Sequence, residues 1–404
     1  MSERHLRIAL YSHDTMGLGH MRRNLLLAET LAAAPERPAV LLISGSREIS
    51  RFPLPRGVDC LSLPSLYKDS QSRYHARSLD VPVQELVAVR STAIAAALEA
   101  FRPDVFIVDN VPRGAQHELD RALARLRQAG RTRCILGLRD VLDEPEQVQR
   151  EWTRSGNFDV IRRHFEAIWV YGDAQVNDVA QEYGFPRDIA SRVTYTGYLD
   201  QRGRSTAELL APETPRDESK LVLCMVGGGQ DGSVLAEAFA AAPFPDDHRA
   251  MLVTGPMMSD ACRARVNALA ERNPRLEVAT FADEPSHLIR RAAAVIAMGG
   301  YNTVCDILTY APRALIVPRV HPREEQLIRA ERLAARGLLD VLHPSHCTPE
   351  ALAQWVAGTP RPGDVTPVRM HTATELHAML AAILSPSAVS RASRRSIPEV
   401  RCAS

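Results

Sequence analysis

The chain has 404 residues, of which 45% are hydrophobic and 24% charged, and its 49 Lys and Arg nearly balance its 48 Asp and Glu. This length predicts two domains, each large enough to bury its own core. The formal net charge of +1 argues against broad phosphate neutralisation of a nucleic acid. No apolar run approaches the roughly 18 residues that a membrane-spanning helix needs.

Cysteine usage and the first residues of the chain bear on its compartment. The seven cysteines are scattered and form no CxxC pair, a pattern typical of reduced thiols rather than of a disulfide framework or a zinc site. Residues 1–7 lead directly into a short apolar stretch, without the apolar core and cleavage site of a signal peptide. We therefore expect a cytoplasmic protein with no transmembrane segment and no metal site.

Short apolar segments alternate with longer helical segments throughout the chain. In the first half, strands are predicted at 6–12, 39–44, 105–109, 134–138 and 167–171, and helices at 21–33, 83–101 and 114–128. In the second half, strands are predicted at 221–226, 250–254, 276–279, 294–297 and 314–318, and helices at 233–242, 260–271, 302–310 and 324–336. This alternation is typical of βαβ units and predicts an α/β fold with parallel sheets.

The same alternation divides the chain into two halves, each of which begins with a strand and a glycine cluster. A polar segment with two prolines at 201–218 is the predicted linker between a domain at 1–200 and a domain at 219–372. A helix at 373–384 follows, and the Ser- and Arg-rich tail at 385–404 is predicted to be disordered.

The first glycine cluster lies between the first strand and the first helix. Gly17 and Gly19 supply the GxG of a dinucleotide-binding fingerprint, but Arg22 occupies the position of its third glycine. This pattern therefore argues against a classical NAD site. His20 follows at the carboxyl end of a parallel strand, where it can act as a general base or merely start and cap the helix.

Two further polar groups follow strands of the first domain. Asp109 ends the strand at 105–109, where a carboxylate can orient His20, bind an acceptor hydroxyl, or simply start a loop. Arg139 and Asp140 follow the next strand with the same alternatives.

The second domain carries two glycine turns, each placed between a strand and a helix. Gly228 and Gly229 form the first, which lacks the GK[ST] of a P-loop. Gly299 and Gly300 form the second, and Asn302 is a predicted N-cap for the helix that follows. A single turn of this kind more often serves backbone geometry, but two together suit a diphosphate bound at helix N-termini without a metal.

Acidic residues near these turns are candidate ligands of a ribose. Asp306 lies one helical turn past Asn302 on the same face, and Glu325 and Gln326 begin a later helix. A carboxylate can accept hydrogen bonds from both vicinal hydroxyls of a ribose. Glu325 taken alone is equally well explained as a partner of the helix dipole.

Taken in order, these segments resemble the GT-B glycosyltransferases, and within them the peptidoglycan-precursor N-acetylglucosaminyltransferase and the monogalactosyldiacylglycerol synthases. The segments that carry the resemblance span most of the chain: residues 17–20 (GLGH), 228–230 (GGQ), 281–282 (FA), 299–306 (GGYNTVCD) and 317–326 (VPRVHPREEQ). The resemblance implies two Rossmann-like, doubly wound parallel-sheet domains that face a cleft.

The resemblance also implies roles for individual residues. His20 corresponds to the group that activates the acceptor, next to an acceptor-side loop at Gly17 and Gly19. Asn302 and Thr303 correspond to contacts of the diphosphate. The donor loop corresponds to residues 228–230, with Gln230 as its last member, and Ala282 corresponds to the turn whose backbone reads uracil.

At three positions this sequence departs from the family pattern. Asp306 replaces the usual ribose-binding glutamate and is one methylene shorter. Glu325 replaces a sugar-binding glutamine, so that the preferred sugar can differ from N-acetylglucosamine, whereas Gln326 matches. After the Thr-Gly turn at 195–199 the family has a diphosphate-binding arginine, and residues 200–201 are Asp and Gln here.

Together with these features, the resemblance implies an inverting, metal-independent glycosyltransferase with a nucleotide sugar, expected to be UDP-linked, as co-substrate and no other cofactor. His20, assisted by Asp109, would deprotonate a hydroxyl acceptor, which in related enzymes is often lipid-linked at the inner membrane surface. The alternatives are a non-hydrolysing UDP-sugar 2-epimerase and a non-catalytic nucleotide-sugar sensor.

Overall fold

The computed structural model describes residues 5–15, 19–69, 73–202, 220–282, 285–310, 312–359 and 364–385. Most of the predicted linker and nearly all of the predicted tail lie outside these residues. The described chain contains two parallel sheets, one of seven strands and one of six. The predicted α/β class with two parallel sheets is confirmed.

The first sheet has the strand order β3-β2-β1-β6-β7-β8-β9, and a separate antiparallel hairpin is formed by β4 and β5. The strands of this half of the chain are β1 Arg7–Ser12, β2 Ala39–Ser44, β3 Val58–Ser62, β4 Leu66–Lys68, β5 Tyr74–Ala76, β6 Val105–Asp109, β7 Arg133–Arg139, β8 Ala167–Tyr171 and β9 Val193–Tyr195. Its helices are α1 Gly19–Ala32, α2 Val83–Phe101, α3 Asp120–Ala129, α4 Pro145–Arg154, α5 Asn157–His164, α6 Val179–Glu182 and α7 Arg187–Ala190.

The second sheet has the order β12-β11-β10-β13-β14-β15. Its strands are β10 Lys220–Met225, β11 His248–Val253, β12 Leu276–Ala279, β13 Ala294–Ala297, β14 Arg313–Ile316 and β15 Asp340–Val341. The helices of this half are α8 Ser233–Ala240, α9 Asp260–Ala270, α10 Pro285–Arg291, α11 Tyr301–Tyr310, α12 Glu325–Ala334, α13 Pro349–Ala357 and α14 Ala373–Leu384.

Two predicted helix starts need correction. The helix expected from 114 begins only at Asp120, because Gly114, Gln116 and His117 all adopt positive φ. The helix expected from 302 begins at Tyr301, so that Asn302 lies in its first turn rather than at its N-cap.

Alternating side chains on the strands separate the cores of the protein. In β1, Ile8 and Leu10 face one core, and Ala9 and Tyr11 face another, as the two-residue period of a strand requires. The strand β10 divides its side chains in the same way. The core that contains Ile8 includes buried residues from both sheets and from α1, α11, α12 and α14, and therefore joins the two domains.

The chain passes between the two domains at two places that lie side by side. The amide of Tyr198 donates to the Arg369 carbonyl and the amide of His371 donates to the Tyr198 carbonyl, both at 2.8 Å. Beyond this crossing, α14 packs on α1 of the first domain, where the His377 ring lies 2.7 Å from the Thr30 carbonyl. No helix among the described residues is both long and apolar enough to cross a membrane.

Candidate active site between the two domains

The strand order places functional loops at one point of each sheet. From β1 the chain continues to β2 and β3 on one side and then returns to β6 on the other side of β1, so the strand order reverses between β1 and β6. In the second sheet the order reverses in the same way between β10 and β13. Ligands of open parallel sheets bind beside the carboxyl ends of strands at such switch points. His20 and Asp109 follow β1 and β6, and the two glycine turns of the second domain follow β10 and β13.

His20 and Asp109 are in direct contact. The His20 Nδ1 lies 2.5 Å from an Asp109 carboxylate oxygen, and the His20 ring keeps 15% of its side-chain surface exposed, against 1% for Asp109. Arg23, one turn along α1, donates to the same carboxylate from its Nε at 2.9 Å and from its Nη2 at 2.6 Å. Arg23 was not among the residues singled out from sequence, because an arginine inside a helix carries no distinguishing signal.

The charges in this cluster define the proton positions. Burial alone would raise the pKa of Asp109, but the charges of Arg23 and His20 hold it well below its usual range. Asp109 is therefore an anion, which can only accept in its 2.5 Å contact with the His20 Nδ1, and this contact favours the proton on Nδ1 even though the Arg23 Nη2 lies 3.0 Å from the same nitrogen. The other ring nitrogen, Nε2, then carries the lone pair and can accept a proton from a bound molecule.

A second histidine lies against His20. The rings of His13 and His20 have centroids 4.6 Å apart, and the Nδ1 of the buried His13 has no hydrogen-bond partner among the described residues. Burial and the nearby His20 hold the pKa of His13 well below its usual value. The next residue, Asp14, accepts hydrogen bonds from Ser12 and Ser44 at 2.7 Å. Both residues belong to the first glycine cluster, but the spacing alone gave neither of them a role.

The first glycine turn of the second domain packs against a neighbouring loop. Gly229 has a φ of +89°, and a Cβ atom there would lie 2.3 Å from the Thr254 carbonyl oxygen. The Gly228 carbonyl accepts a hydrogen bond from the amide of Met257 at 2.8 Å. Gln230 is exposed at the end of this turn, which leaves its side chain available to a ligand.

The second glycine turn meets the start of α1 across the cleft. The side-chain amide of Asn302 donates to the Gly19 carbonyl at 3.0 Å, which joins the N-terminal ends of α11 and α1. Thr303 follows Asn302 in the first turn of α11 and is partly exposed. Gly17 lies outside the described residues.

Asp306 is deeper than its neighbours on α11. It is 3% exposed, and one of its carboxylate oxygens accepts a hydrogen bond from the Ser286 hydroxyl at 2.6 Å. Ser286 belongs to α10, so this contact fixes the side chain between two helices.

Glu325 and Gln326 begin α12 at the same edge of the sheet. Arg319 donates to Glu325 Oε1 and reaches Asp231 at 3.2 Å with its other terminal nitrogen. Glu325 Oε2 is buried and has no hydrogen-bond partner among the described residues. The Gln326 side-chain oxygen accepts from the backbone amide of Arg319 at 3.0 Å, so that the side-chain amide nitrogen of Gln326 is left as its donor.

A contact between the domains also involves the turn at Ala282. The Arg22 guanidinium donates to the Ala282 carbonyl at 3.4 Å and lies 5.8 Å from the centre of the Phe281 ring. The turn therefore has a partner from α1. Among the described residues, no group of three or more His, Cys, Asp and Glu side chains could hold a metal ion.

The two domains are joined beside this site by an ion pair that sequence reasoning missed. Arg329 of α12 and Asp140, which follows β7, are both fully buried and are connected by bonds of 2.7 to 2.9 Å. The Tyr198 hydroxyl donates to the same carboxylate at 2.9 Å. Arg329 also donates to the Gly299 carbonyl at 3.0 Å, which ties the interface to the second glycine turn.

Residues 222–378 match the glycosyltransferase family 28 C-terminal domain. A curated relative from Brucella canis, a UDP-N-acetylglucosamine--N-acetylmuramyl-(pentapeptide) pyrophosphoryl-undecaprenol N-acetylglucosamine transferase, is 28% identical over 148 residues. The match covers 35% of this chain and 39% of the relative, which is well under half of the length of each.

Solved structures resemble the described chain over nearly its whole length. The glycotransferase of kitacinnamycin has a TM-score of 0.59 at 16% identity and covers 97% of this chain and 99% of its own. The chain has a GT-B fold. A Listeria monocytogenes protein assigned as a UDP-N-acetylglucosamine 2-epimerase shares the GT-B fold with a TM-score of 0.59 at 13% identity, over 98% of this chain and 99% of its own. The predicted resemblance is confirmed, while the fold alone is common to transferases and epimerases.

Proposed function

We propose that the chain is a glycosyltransferase that moves a sugar from a nucleotide sugar, UDP-linked, to a hydroxyl acceptor with inversion. The observation that carries this proposal is the His20–Asp109 pair, which lies at the start of α1 where Asn302 joins it to the start of α11. A general base can deprotonate the acceptor hydroxyl, and a helix N-terminus can hold the diphosphate of the donor.

The proposed reaction is a single displacement. The His20 Nε2 takes the proton of the acceptor hydroxyl while the oxygen forms a bond to the anomeric carbon. The bond between that carbon and the diphosphate oxygen breaks, and its electron pair leaves with the nucleoside diphosphate. Asp109 holds the proton on His20 Nδ1 and stabilises the imidazolium that forms. Attack from the face opposite the leaving group inverts the configuration.

The donor is proposed to lie along the second domain. The amides of Gly300 and of the first turn of α11 can hold the diphosphate, since the N-terminal end of a helix carries unpaired N–H groups and a partial positive charge. We propose that this charge makes a metal ion unnecessary. Asp306 would bind the ribose, and Glu325 and Gln326 the sugar. Because the name of the Brucella canis relative includes an undecaprenol-linked acceptor, a lipid-linked hydroxyl is the acceptor class we propose to test first.

Replacing Gly300 by alanine is expected to weaken UDP binding by about 10-fold or more without lowering stability. A Cβ atom on Gly300 would meet no protein atom within 4 Å, so the methyl group would project into the space proposed for the diphosphate. Calorimetric titration with UDP and thermal unfolding measure the two effects.

Gly299→Ala is the matched control for this change. A Cβ atom there would lie 3.1 Å from the Gln326 carbonyl oxygen and 3.2 Å from a methyl group of Ile316, so the chain must shift at a cost of about 1–3 kcal/mol. A Gly300→Ala variant that binds UDP as well as the unsubstituted protein would contradict the proposed diphosphate position.

The proposed activity is tested with a panel of UDP-hexoses, UDP-N-acetylhexosamines and UDP-hexuronates. A donor at about 100 times its Kd raises the free energy of unfolding by about 2.7 kcal/mol, so thermal shifts identify the donor before the acceptor is known. The donor that binds is then incubated with candidate acceptors, and both UDP release and the configuration of the product are measured.

The outcomes separate the three functions. Acceptor-dependent UDP release and an inverted glycoside support the transferase. Isomerisation of the donor sugar at C2 without an acceptor, followed by nuclear magnetic resonance, identifies an epimerase. Binding without release of UDP by either route identifies a sensor and overturns the proposal.

A further inference from the structure

Arg139 is a charged residue of the cleft that has no role in the site described above. It is the last residue of β7 in the first domain, yet it reaches Glu325 of the second domain, with 3.9 Å between its Nη1 and Glu325 Oε1. Its side chain is 20% exposed, and its Nε is buried without a hydrogen-bond partner among the described residues. The side chain therefore enters the cleft from the acceptor side.

The neighbouring arginines Arg23 and Arg329 each pair with a carboxylate of their own, whereas Arg139 shares the carboxylate of Glu325 with Arg319. Arg23 binds Asp109 and Arg329 binds Asp140, each through several hydrogen bonds. Glu325 Oε1 already accepts from Arg319, so Arg139 is left with a long contact to an occupied oxygen.

Arg139 and Arg319 together face two carboxylates, Glu325 and Asp231, but Arg139 itself has only the long contact with Glu325 and is poorly compensated. Of the two carboxylates Glu325 is buried, whereas Asp231 is 35% exposed. Burial lowers the pKa of Arg139, with only partial compensation from Glu325. A cation in a poorly solvated place is stabilised when an anion binds beside it.

Arg139 is connected to the second glycine turn through its neighbours, since Arg329 donates to the Gly299 carbonyl. Gly299 packs against Gln326, which follows Glu325 in α12. Arg329 and Arg23, the cationic neighbours that act on Arg139, lie 5.7 and 5.3 Å from the centre of the Tyr301 ring. Tyr301 is the first residue of α11, whose N-terminal end attracts anions. Arg139 and the start of α11 therefore have two arginine neighbours in common.

We propose that Arg139 binds a phosphoryl oxygen of the donor's diphosphate, so that a residue of the acceptor-side domain helps to hold the donor. This inference rests on the proposed function and names one of its contacts. Asp140, the next residue, fixes the position of Arg139 because Arg329 anchors it to α12. The guanidinium would also stabilise the negative charge that the diphosphate gains as the sugar leaves.

The test compares uridine, UMP and UDP as ligands of the unsubstituted protein, Arg139→Gln and Arg139→Lys by calorimetric titration. We expect Arg139→Gln to lower the affinity for UDP by about 10- to 100-fold, the effect of losing a hydrogen bond to a charged group. Uridine should bind all three proteins alike, and lysine should restore part of the affinity for UDP. Arg336→Gln is the matched control, because Arg336 also reaches the first domain but bonds to the Gln175 carbonyl at the surface.

Each other outcome overturns the proposal in a distinct way. An equal loss for uridine and UDP shows a general distortion of the site. Unchanged UDP affinity together with weaker binding of a UDP-hexuronate or of an anionic acceptor assigns Arg139 to a carboxylate or to the acceptor. If the unsubstituted protein binds neither UDP nor a UDP-sugar, the proposed function itself fails.

Discussion

Replacing His20 by alanine is expected to lower the rate of sugar transfer by about 10²- to 10⁴-fold, the range that a positioned general base contributes. UDP affinity should stay within about twofold, because none of the proposed diphosphate and ribose contacts involves His20, and all of them except Arg139 come from the second domain. The rate constant of transfer and the Kd for UDP, measured on the same preparation, separate the two effects. This expectation follows from the 2.5 Å contact between His20 and Asp109, which leaves the opposite ring nitrogen to accept a proton.

The matched control is His346→Ala, which removes an exposed histidine between β15 and α13. Its transfer rate and UDP affinity should equal those of the unsubstituted protein. A His20→Ala variant that retains full transfer activity would remove His20 from the chemistry. Loss of UDP binding in that variant would instead contradict the assignment of the donor to the second domain.

Much of the fold could be predicted because its central strands are buried on both faces. The runs that become β2, β6 and β8 are continuous apolar segments, and their predicted bounds agree with the structure. The strands β3 and β9 were missed because they lie at the two edges of the sheet, where exposed positions interrupt the apolar run. The hairpin of β4 and β5 was missed because each strand has three residues, too few for a periodicity to be recognised.

The candidate site divides in a similar way. His20 and Asp109 could each be identified as a candidate from sequence, because each lies at or after the end of a strand with a clear apolar pattern. Parallel strands end at the same edge of a sheet. The direct contact between the two side chains depends on β1 and β6 being neighbours, which strand order alone decides. Asn302 was predicted to cap its own helix, but its amide bonds to Gly19 instead, since the other domain lies close to it.

Contacts that depend on how the two domains pack produce no local pattern in the sequence from which they could be predicted. Arg139 and Asp140 were noted at a strand end, but their partners lie about 190 residues away in α12, as the separation of 189 between Asp140 and Arg329 shows. An arginine on an amphipathic helix most often faces solvent. Only the burial of Arg329 against the first domain distinguishes it from the exposed arginines of the chain.

Replacing Arg329 by methionine is expected to lower the free energy of unfolding by about 3–5 kcal/mol, because it leaves the Asp140 carboxylate buried with only the Tyr198 hydroxyl as a strong donor. Urea unfolding reports on the two domains separately when tryptophan fluorescence is followed in variants that keep either Trp152 and Trp169 of the first domain or Trp355 of the second. Both transitions should move to lower urea, since the pair stabilises the contact that each domain makes with the other.

The control on the same helix is Arg332→Met. Arg332 also pairs with the first domain, through Glu182 at 3.1 Å and through hydrogen bonds to Asn177 and the Val176 carbonyl. Because Arg332 and Glu182 are about one-third exposed, the loss of Arg332 should cost about 1–2 kcal/mol, less than the loss of Arg329. Asp140→Asn combined with Arg329→Met should cost less than the sum of the two single changes, because neither charge is then left buried alone. Additive costs would show that the two side chains act independently, and equal costs for Arg329→Met and Arg332→Met would show that burial of the ion pair adds nothing.

If Arg329→Met is destabilised as expected and also binds UDP more weakly, domain contact and donor binding are coupled through the Gly299 carbonyl that Arg329 holds.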